Sequence, residues 1–246
     1  DFTDASAARG GMTDSQDVGS QDTGSQDTGG PDTGSPDTGG TLHRPPVRKR
    51  GIERFEHLLD ATAALIGERP DEEASLANIA ARAGVPLASL YHFFPNRNAA
   101  LVALAQRYHR QIHELATFPA GSAPLRWQDV FAFRVRNTAR FLNDNPAALR
   151  LFMGAGVSAE VRNTDVAGND RLAAMRADYL HRHFVMAPMP DLPRRIAVSL
   201  AILDGIWAYS YSHHRRITDD YVDEAIRATL VYLRCFLPEE LQPRTD

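Results

Sequence analysis

Residues 76–95, LANIAARAGVPLASLYHFFP, constrain the fold more tightly than any other part of the chain. Two apolar-periodic segments stand on either side of Gly84, and each is too short to persist as an isolated helix. They must therefore cross at close range and lean on other elements. A close crossing needs a small side chain at the contact, which Ala80 supplies. The turn needs a residue that tolerates a left-handed backbone, which Gly84 supplies. Ile79, Ala83, Val85, Leu90 and Phe93 or Phe94 are apolar where a small core must be filled, and Ser75 stands at an N-cap position. The arrangement fits a helix-turn-helix, whose second helix offers its N-terminal residues to a major groove about one helix wide. A plain antiparallel helical pair joined by a glycine meets the same steric demands, so this segment alone leaves both readings open.

The remaining sequence is also helical in period. Ile52, Phe55, Leu58, Leu59, Ala63 and Ile66 predict a helix over 51–67 that ends near Gly67. The second helix runs to Ala83, and the third from Leu87 to about Phe94. A fourth starts near Asn96 or Asn98 and continues past Tyr108 towards Leu115. Beyond Pro119, helices are expected over 125–144, 147–154, 169–185, 193–215 and 219–237. The breaks between them are Asn145-Pro146, residues 154–156, the Pro188/Pro190/Pro193 cluster and Pro238. No segment alternates with period two long enough to read as a strand, so the expected fold class is all-α.

Charge is informative only when read by segment. The chain carries a net −4, but residues 1–43 hold eight Asp against one Arg, and the rest holds 26 basic and 23 acidic residues. Residues 16–40 repeat with a period of five (QDVGS, QDTGS, QDTGG, PDTGS, PDTGG), with almost nothing to bury, and are expected to be disordered. An acidic arm that competes with DNA for the neighbouring basic face is the sharper reading of the same segment. All basic residues but Lys49 are Arg, which reads mainly as coding bias. The lone cysteine, Cys235, rules out an intramolecular disulfide. No apolar run is long enough for a membrane span, and a soluble, cytoplasmic protein is expected.

From Ile79-Ala80 through Ala83-Gly84-Val85 to Leu90-Tyr91-His92-Phe93-Phe94-Pro95-Asn96-Arg97, the chain resembles the N-terminal domain of the tetracycline-repressor-like (TetR) family. The close resemblance spans about residues 48–105; the C-terminal half is similar only in architecture. It implies an N-terminal three-helix helix-turn-helix DNA-binding domain, 44–98, and a C-terminal helical ligand-binding and dimerisation domain, 99–238. Tails would occupy 1–43 and 239–246. It further implies that Ser75 caps the second helix near a phosphate and that Ser89, Tyr91 and His92 face the groove. Arg97 would bind a phosphate, and the arm Arg48, Lys49 and Arg50 would reach the backbone or the minor groove. Two departures stand out. Pro86 occupies a position where the family often has a side-chain cap. Leu87 and Ala88, at the start of the reading helix, can touch a thymine methyl but cannot hydrogen-bond base edges.

In the C-terminal half, Ile196, Leu200, Leu203, Trp207, Tyr211 and His214 form one apolar stripe, and Val222, Ile226, Leu230, Leu233 and Phe236 form another. The resemblance implies that these last two helices pair with their symmetry mates. That places Leu203, Tyr211, Ile226, Leu230 and Leu233 at a dimer interface; packing into the monomer's own core is the alternative. Phe131, Phe152, Met153, Met175, Tyr179, His183 and Trp207 are candidates for an apolar ligand cavity or for an ordinary aromatic core. Asp204 lies in an apolar run, Ala201 to Trp207, and must be solvated, paired or ligand-facing.

No enzyme or metal site is evident. His109 and His113 share a helix face, but no third ligand accompanies them, and two partly exposed surface histidines are expected. Residues 154–156 lack the strand-turn-helix setting of a phosphate loop. The expected function is a ligand-responsive transcriptional regulator, a repressor, binding a roughly palindromic duplex as a homodimer with a small-molecule effector and no cofactor. A constitutive DNA-binding dimer without a ligand is the alternative. An all-α binding module or enzyme that merely retains the helix-turn-helix shape is a third class.

Overall fold

The computed structural model describes residues 43, 46, 48–68, 74–115 and 126–244. Among them the chain is helical almost throughout. The helices are α1 (Lys49–Glu68), α2 (Leu76–Ala83), α3 (Leu87–Tyr91), α4 (Arg97–Glu114), α5 (Trp127–Asp144), α6 (Pro146–Met153), α7 (Ala159–His183), α8 (Leu192–His214) and α9 (Asp219–Arg234). The acidic repeats expected to be disordered lie outside the described residues.

Local sequence explains most of these boundaries. Helix α1 buries Phe55, Leu58, Leu59, Thr62, Leu65 and Ile66, the i, i+3, i+4, i+7 stripe of a surface helix. Ile52, expected on that stripe, is exposed. Helix α4 is capped by Asn96, whose side chain accepts from the Ala99 N–H at 2.9 Å. Pro146 opens α6 at a position where no N–H is needed.

Two expectations are corrected. Helix α7 begins at Ala159, capped by Ser158, ten residues before the expected 169. Its first turns are polar and contain Gly168, so they carry no apolar period to read. The segment 239–246, expected to be a tail, is tied down as far as Arg244. A short strand β2 (Gln242–Pro243) pairs antiparallel with β1 (Phe184–Val185), Leu241 is buried, and the Arg244 N–H donates to His183 O at 2.8 Å. Trp127 Nε1 also donates to Pro238 O at 2.9 Å. The hydrogen bonds of this return are made to loop and helix-end carbonyls, which no hydrophobic pattern announces.

Helices α1 to α4 form the N-terminal cluster. Arg107 of α4 bridges Asp60 at 2.6 Å and Glu56 at 3.3 Å of α1. Helix α4 crosses the expected domain boundary at 98/99 without a break and packs on α7, and the described residues belong to one compact unit. Helix α8 lies between α7 and α9, α5 packs on α9, and α6 packs on α1. No helix among the described residues is long and apolar enough to cross a membrane.

Candidate functional site

The turn between α2 and α3 is built as its sequence requires. Gly84 has φ 64° and ψ 32°, and a Cβ there would meet nothing within 4 Å. Glycine is thus needed for backbone conformation rather than for space. Across the turn the Val85 N–H returns to Ala80 O at 3.0 Å, the closing bond of a Schellman cap. His57 Nε2 of α1 donates to Ala83 O at 3.0 Å, satisfying another carbonyl at the end of α2. At the other end, Ser75 Oγ accepts from the Asn78 N–H at 3.2 Å.

Helix α3 has only five residues and is held from below. Leu90 and Phe94 are fully buried and Phe93 nearly so, with Phe55 of α1 at ring-centroid distances of 6.0 Å from Phe93 and 5.2 Å from Phe94. The opposite side is bare. Leu87, Ala88, Tyr91 and His92 are exposed, Tyr91 by 53%, and Ser89 is half-buried. Arg97 is exposed at the first position of α4, and Arg48, Lys49 and Arg50 are exposed at the start of α1. A cation at a helix N-terminus is opposed by the helix dipole, so Arg97 does not stabilise α4 by its charge. Helix α3 ends at Tyr91 rather than near Phe94, because residues 92–94 leave the helix to turn both phenylalanines into the core.

A second site lies among α4, α5, α6, α7 and α8. His109, Ile112, Val135, Leu142, Phe152, Met153, Leu172, Leu200, Leu203 and Trp207 surround a cavity of about 30 Å³, together with Thr138, Asp165, Asn169, Arg176 and Asp204. Four of the sequence candidates, Phe152, Met153, Asp204 and Trp207, line it. Phe131 is buried but lies outside the lining, although the Arg176 guanidinium sits 5.8 Å from its ring. Met175 and His183 are exposed on α7, and half-buried Tyr179 stacks with His183 and under Arg134. These four, expected to line a cavity, do not line this one; on α7 it is Leu172 and Arg176 that face it.

The polar groups of the cavity form two linked sets. His109 Nε2 donates to Asp165 Oδ1 at 3.0 Å, and Arg162 reaches the other oxygen at 3.4 Å. Asn169 Nδ2 donates to Asp204 Oδ2 at 2.8 Å. The helices come together closely enough that a Cβ on Gly168 would lie 2.4 Å from the His109 ring. His109, expected at the surface, is therefore buried; Gly168 opens the slot that receives it. Burial, with repulsion from Asp165, pushes the Asp204 carboxyl up to about 7. Burial, aided by Arg134, brings Arg176 down to about 9. Sequence reading missed His109, Asp165, Asn169 and Arg176. One signal was present: Arg176 falls between Leu172 and Leu180 on the core-facing period of α7. Among the described residues, no cluster of three or more His, Cys, Asp or Glu could hold a metal.

The helix faces available to a partner also differ from expectation. Leu203, Ile226 and Leu233 are buried in the protomer's own core, while Tyr211 and Leu230 are half-buried. The apolar residues that face outward on α8 and α9 are Val198, Tyr209 and Val231. A strong stripe marks the face nearest its own core first, and α8 and α9 spend theirs on each other, α7 and α5.

Comparison with known proteins agrees with this geometry. Residues 58–104 match the family described as bacterial regulatory proteins, tetR family. Over 108 residues the chain is 34% identical to the HTH-type transcriptional repressor KstR of Rhodococcus jostii, covering 44% of this chain and 51% of that protein. The chain thus spans about half the length of that relative. Over 173 residues it is 27% identical to the HTH-type transcriptional regulator BetI of Escherichia coli, covering 66% of this chain and 84% of BetI. A TetR-family transcriptional regulator from Streptomyces coelicolor shares the fold with a TM-score of 0.58 at 24% identity, covering 75% of this chain and 99% of that one. The family match falls on the helix-turn-helix built by α1 to α4, and it is through that part that the chain is similar to the tetR family of bacterial regulatory proteins.

Proposed function

We propose that the protein is a transcriptional repressor that binds duplex DNA as a homodimer and releases it when a small molecule enters the α4–α8 cavity. One observation carries the DNA reading: α3 is anchored by Leu90, Phe93 and Phe94 and turns Leu87, Ala88, Tyr91 and His92 to solvent beside Arg97. Tyr91, His92 and Ser89 would contact the groove. Arg97, the Ser75 hydroxyl and the 48–50 arm would contact phosphates. One such head offers little contact, and two held about 34–36 Å apart match one turn of duplex. Val198, Tyr209 and Val231 supply the outward apolar face that would hold them. In this reading residues 44–98 read DNA and 99–238 regulate.

Helix α6 supplies a path between the sites. Phe152 and Met153 line the cavity, while Arg150 Nη1 donates to Ile66 O of α1 at 3.3 Å. A ligand that displaces Phe152 would move α6 against α1 and tilt the head, and a coupling of about 1–3 kcal/mol would shift DNA affinity roughly 5–150-fold. The small cavity volume, about 30 Å³, favours a second reading, a dimer that binds DNA constitutively with no effector. Selection of bound fragments from the encoding genome, followed by titration at rising salt, tests the DNA role. Enrichment of a palindromic site with steep salt dependence is expected. Uniform retention of all fragments, or affinity indifferent to salt, would contradict the role given to α3 and Arg97.

A further inference from the structure

The cavity has more hydrogen-bond donors than its walls can satisfy. Arg176 is only 4% exposed, and its Nε and Nη1 are buried with no partner among the described residues. Trp207, 1% exposed, lines the same cavity and carries a donor-only Nε1 that is buried with no acceptor among the described residues. The two carboxylates of the cavity are engaged elsewhere. Asp165 holds His109 and Arg162, and Asp204 holds Asn169. Neither lies within ion-pair distance of Arg176 among the described residues; Asp204 attracts it from further off, but a second buried guanidinium, Arg134, adds a larger repulsion. A buried cation left in this state is strongly unfavourable, whereas a matched anion completes it.

Resting on the reading of this cavity as an effector site, we propose that its effector is a monocarboxylate with an apolar body, its carboxylate seated on Arg176 and Trp207 Nε1. A carboxylate presents acceptors only and pairs with the Arg176 charge without competing for the donors already used. The remaining walls, Val135, Leu142, Phe152, Leu172 and Leu200, suit a hydrocarbon rather than a second charged group. Room for that body adjoins the cavity. Phe152, Asp165, Asn169 and Asp204 also line a groove of about 330 Å³ between α7 and α8. The Asn169–Asp204 hydrogen bond lies in the shared wall, where the ligand's body would pass.

The test is calorimetric titration of the full-length protein with hexanoate, benzoate, hexanamide and hexylamine, alongside retention of its selected DNA fragment. Hexanoate or benzoate should bind at least about tenfold more tightly than hexanamide, the factor expected for one charge-assisted contact, and should weaken DNA retention. Arg176→Met, which keeps volume and removes charge, should erase the difference between hexanoate and hexanamide. Arg176→Lys should preserve its sign. Ligand-free melting of both variants checks folding, and the Met variant should melt at or above the parent because a buried charge is gone. Equal binding of hexanoate and hexanamide by the parent, or a carboxylate preference that survives Arg176→Met, overturns the proposal. If hexanamide or hexylamine alone binds and releases DNA, the effector reading stands and the carboxylate assignment falls. If none of the four binds or alters DNA retention, both fall.

Discussion

The helix-turn-helix and the α4–α8 cavity are satisfied to different degrees, and the difference separates a region whose polar groups find partners from one that leaves some unmet. In the head, the main-chain groups at the turn are accounted for: Ser75 and Asn96 cap two helices, Val85 N–H and His57 close the end of α2, and the core beneath α3 is aromatic and closely packed. In the cavity, ionisable groups are buried beside hydrocarbon, and Arg176 and Trp207 carry donors without acceptors. Native interiors rarely leave such groups unmet. Under the proposed function this contrast is expected: a head that reads DNA must hold one shape, whereas an effector site gains affinity when a ligand completes what its walls leave open.

The strongest way to break this contrast is to hollow out the head. Phe94 is fully buried under α3, and Phe94→Ala should cost about 3–5 kcal/mol. Thermal melting should fall accordingly, and DNA retention should be lost while the C-terminal helices keep their far-ultraviolet signal. Near-parental stability would mean that α3 is not held from below as described.

The next test concerns the cavity. Asp204 titrates near 7 when folded against an ordinary value of 3.8, so its folded pKa is raised. Its contribution is therefore fully present below about pH 4 and is lost as pH rises through about 7, with a ceiling of about 4 kcal/mol. Asp204→Asn keeps the shape, removes this loss and should raise the melting temperature more at pH 8 than at pH 5. A shift equal at both values would place the carboxylate in solvent rather than in the cavity wall.

The two regions were also unequally legible in the sequence. The head follows from local rules, in that a left-handed turn demands Gly84, a helix start favours Ser75 and Asn96, and a short helix needs Leu90 and Phe94 beneath it. Those rules act within a few residues and so leave their mark on neighbouring positions. The cavity joins positions 109, 165, 169, 176 and 204, which meet only after α4, α7 and α8 have packed. An arginine on the core period of α7 was the one local trace. The stripes of the last two helices were hard to assign for a related reason: Leu203 on α8 and Ile226 and Leu233 on α9, expected at an interface, are buried within the protomer, and the weaker set of Val198, Tyr209 and Val231 is exposed.

A smaller effect is expected at the turn. Gly84→Ala meets open space but must adopt φ near 64°, a strain of roughly 1–2 kcal/mol with no steric clash. Because the strain is local to the turn, melting should fall by only a few degrees, while DNA affinity should fall further than stability alone explains, since the angle of α3 is set there.

The least destabilising change is the one that most sharply separates shape from contact. Arg97 is exposed, with its charge at the unfavourable end of α4, so Arg97→Gln should leave melting within about 0.5 kcal/mol of the parent. If Arg97 meets a phosphate, the same variant should bind all sequences more weakly by a similar factor. The slope of log affinity against log salt should also shrink by about one for each head that loses the contact. A change in sequence preference with the salt slope intact would move Arg97 from the backbone to a base edge, and the face of α3 that enters the groove would have to be rotated to match.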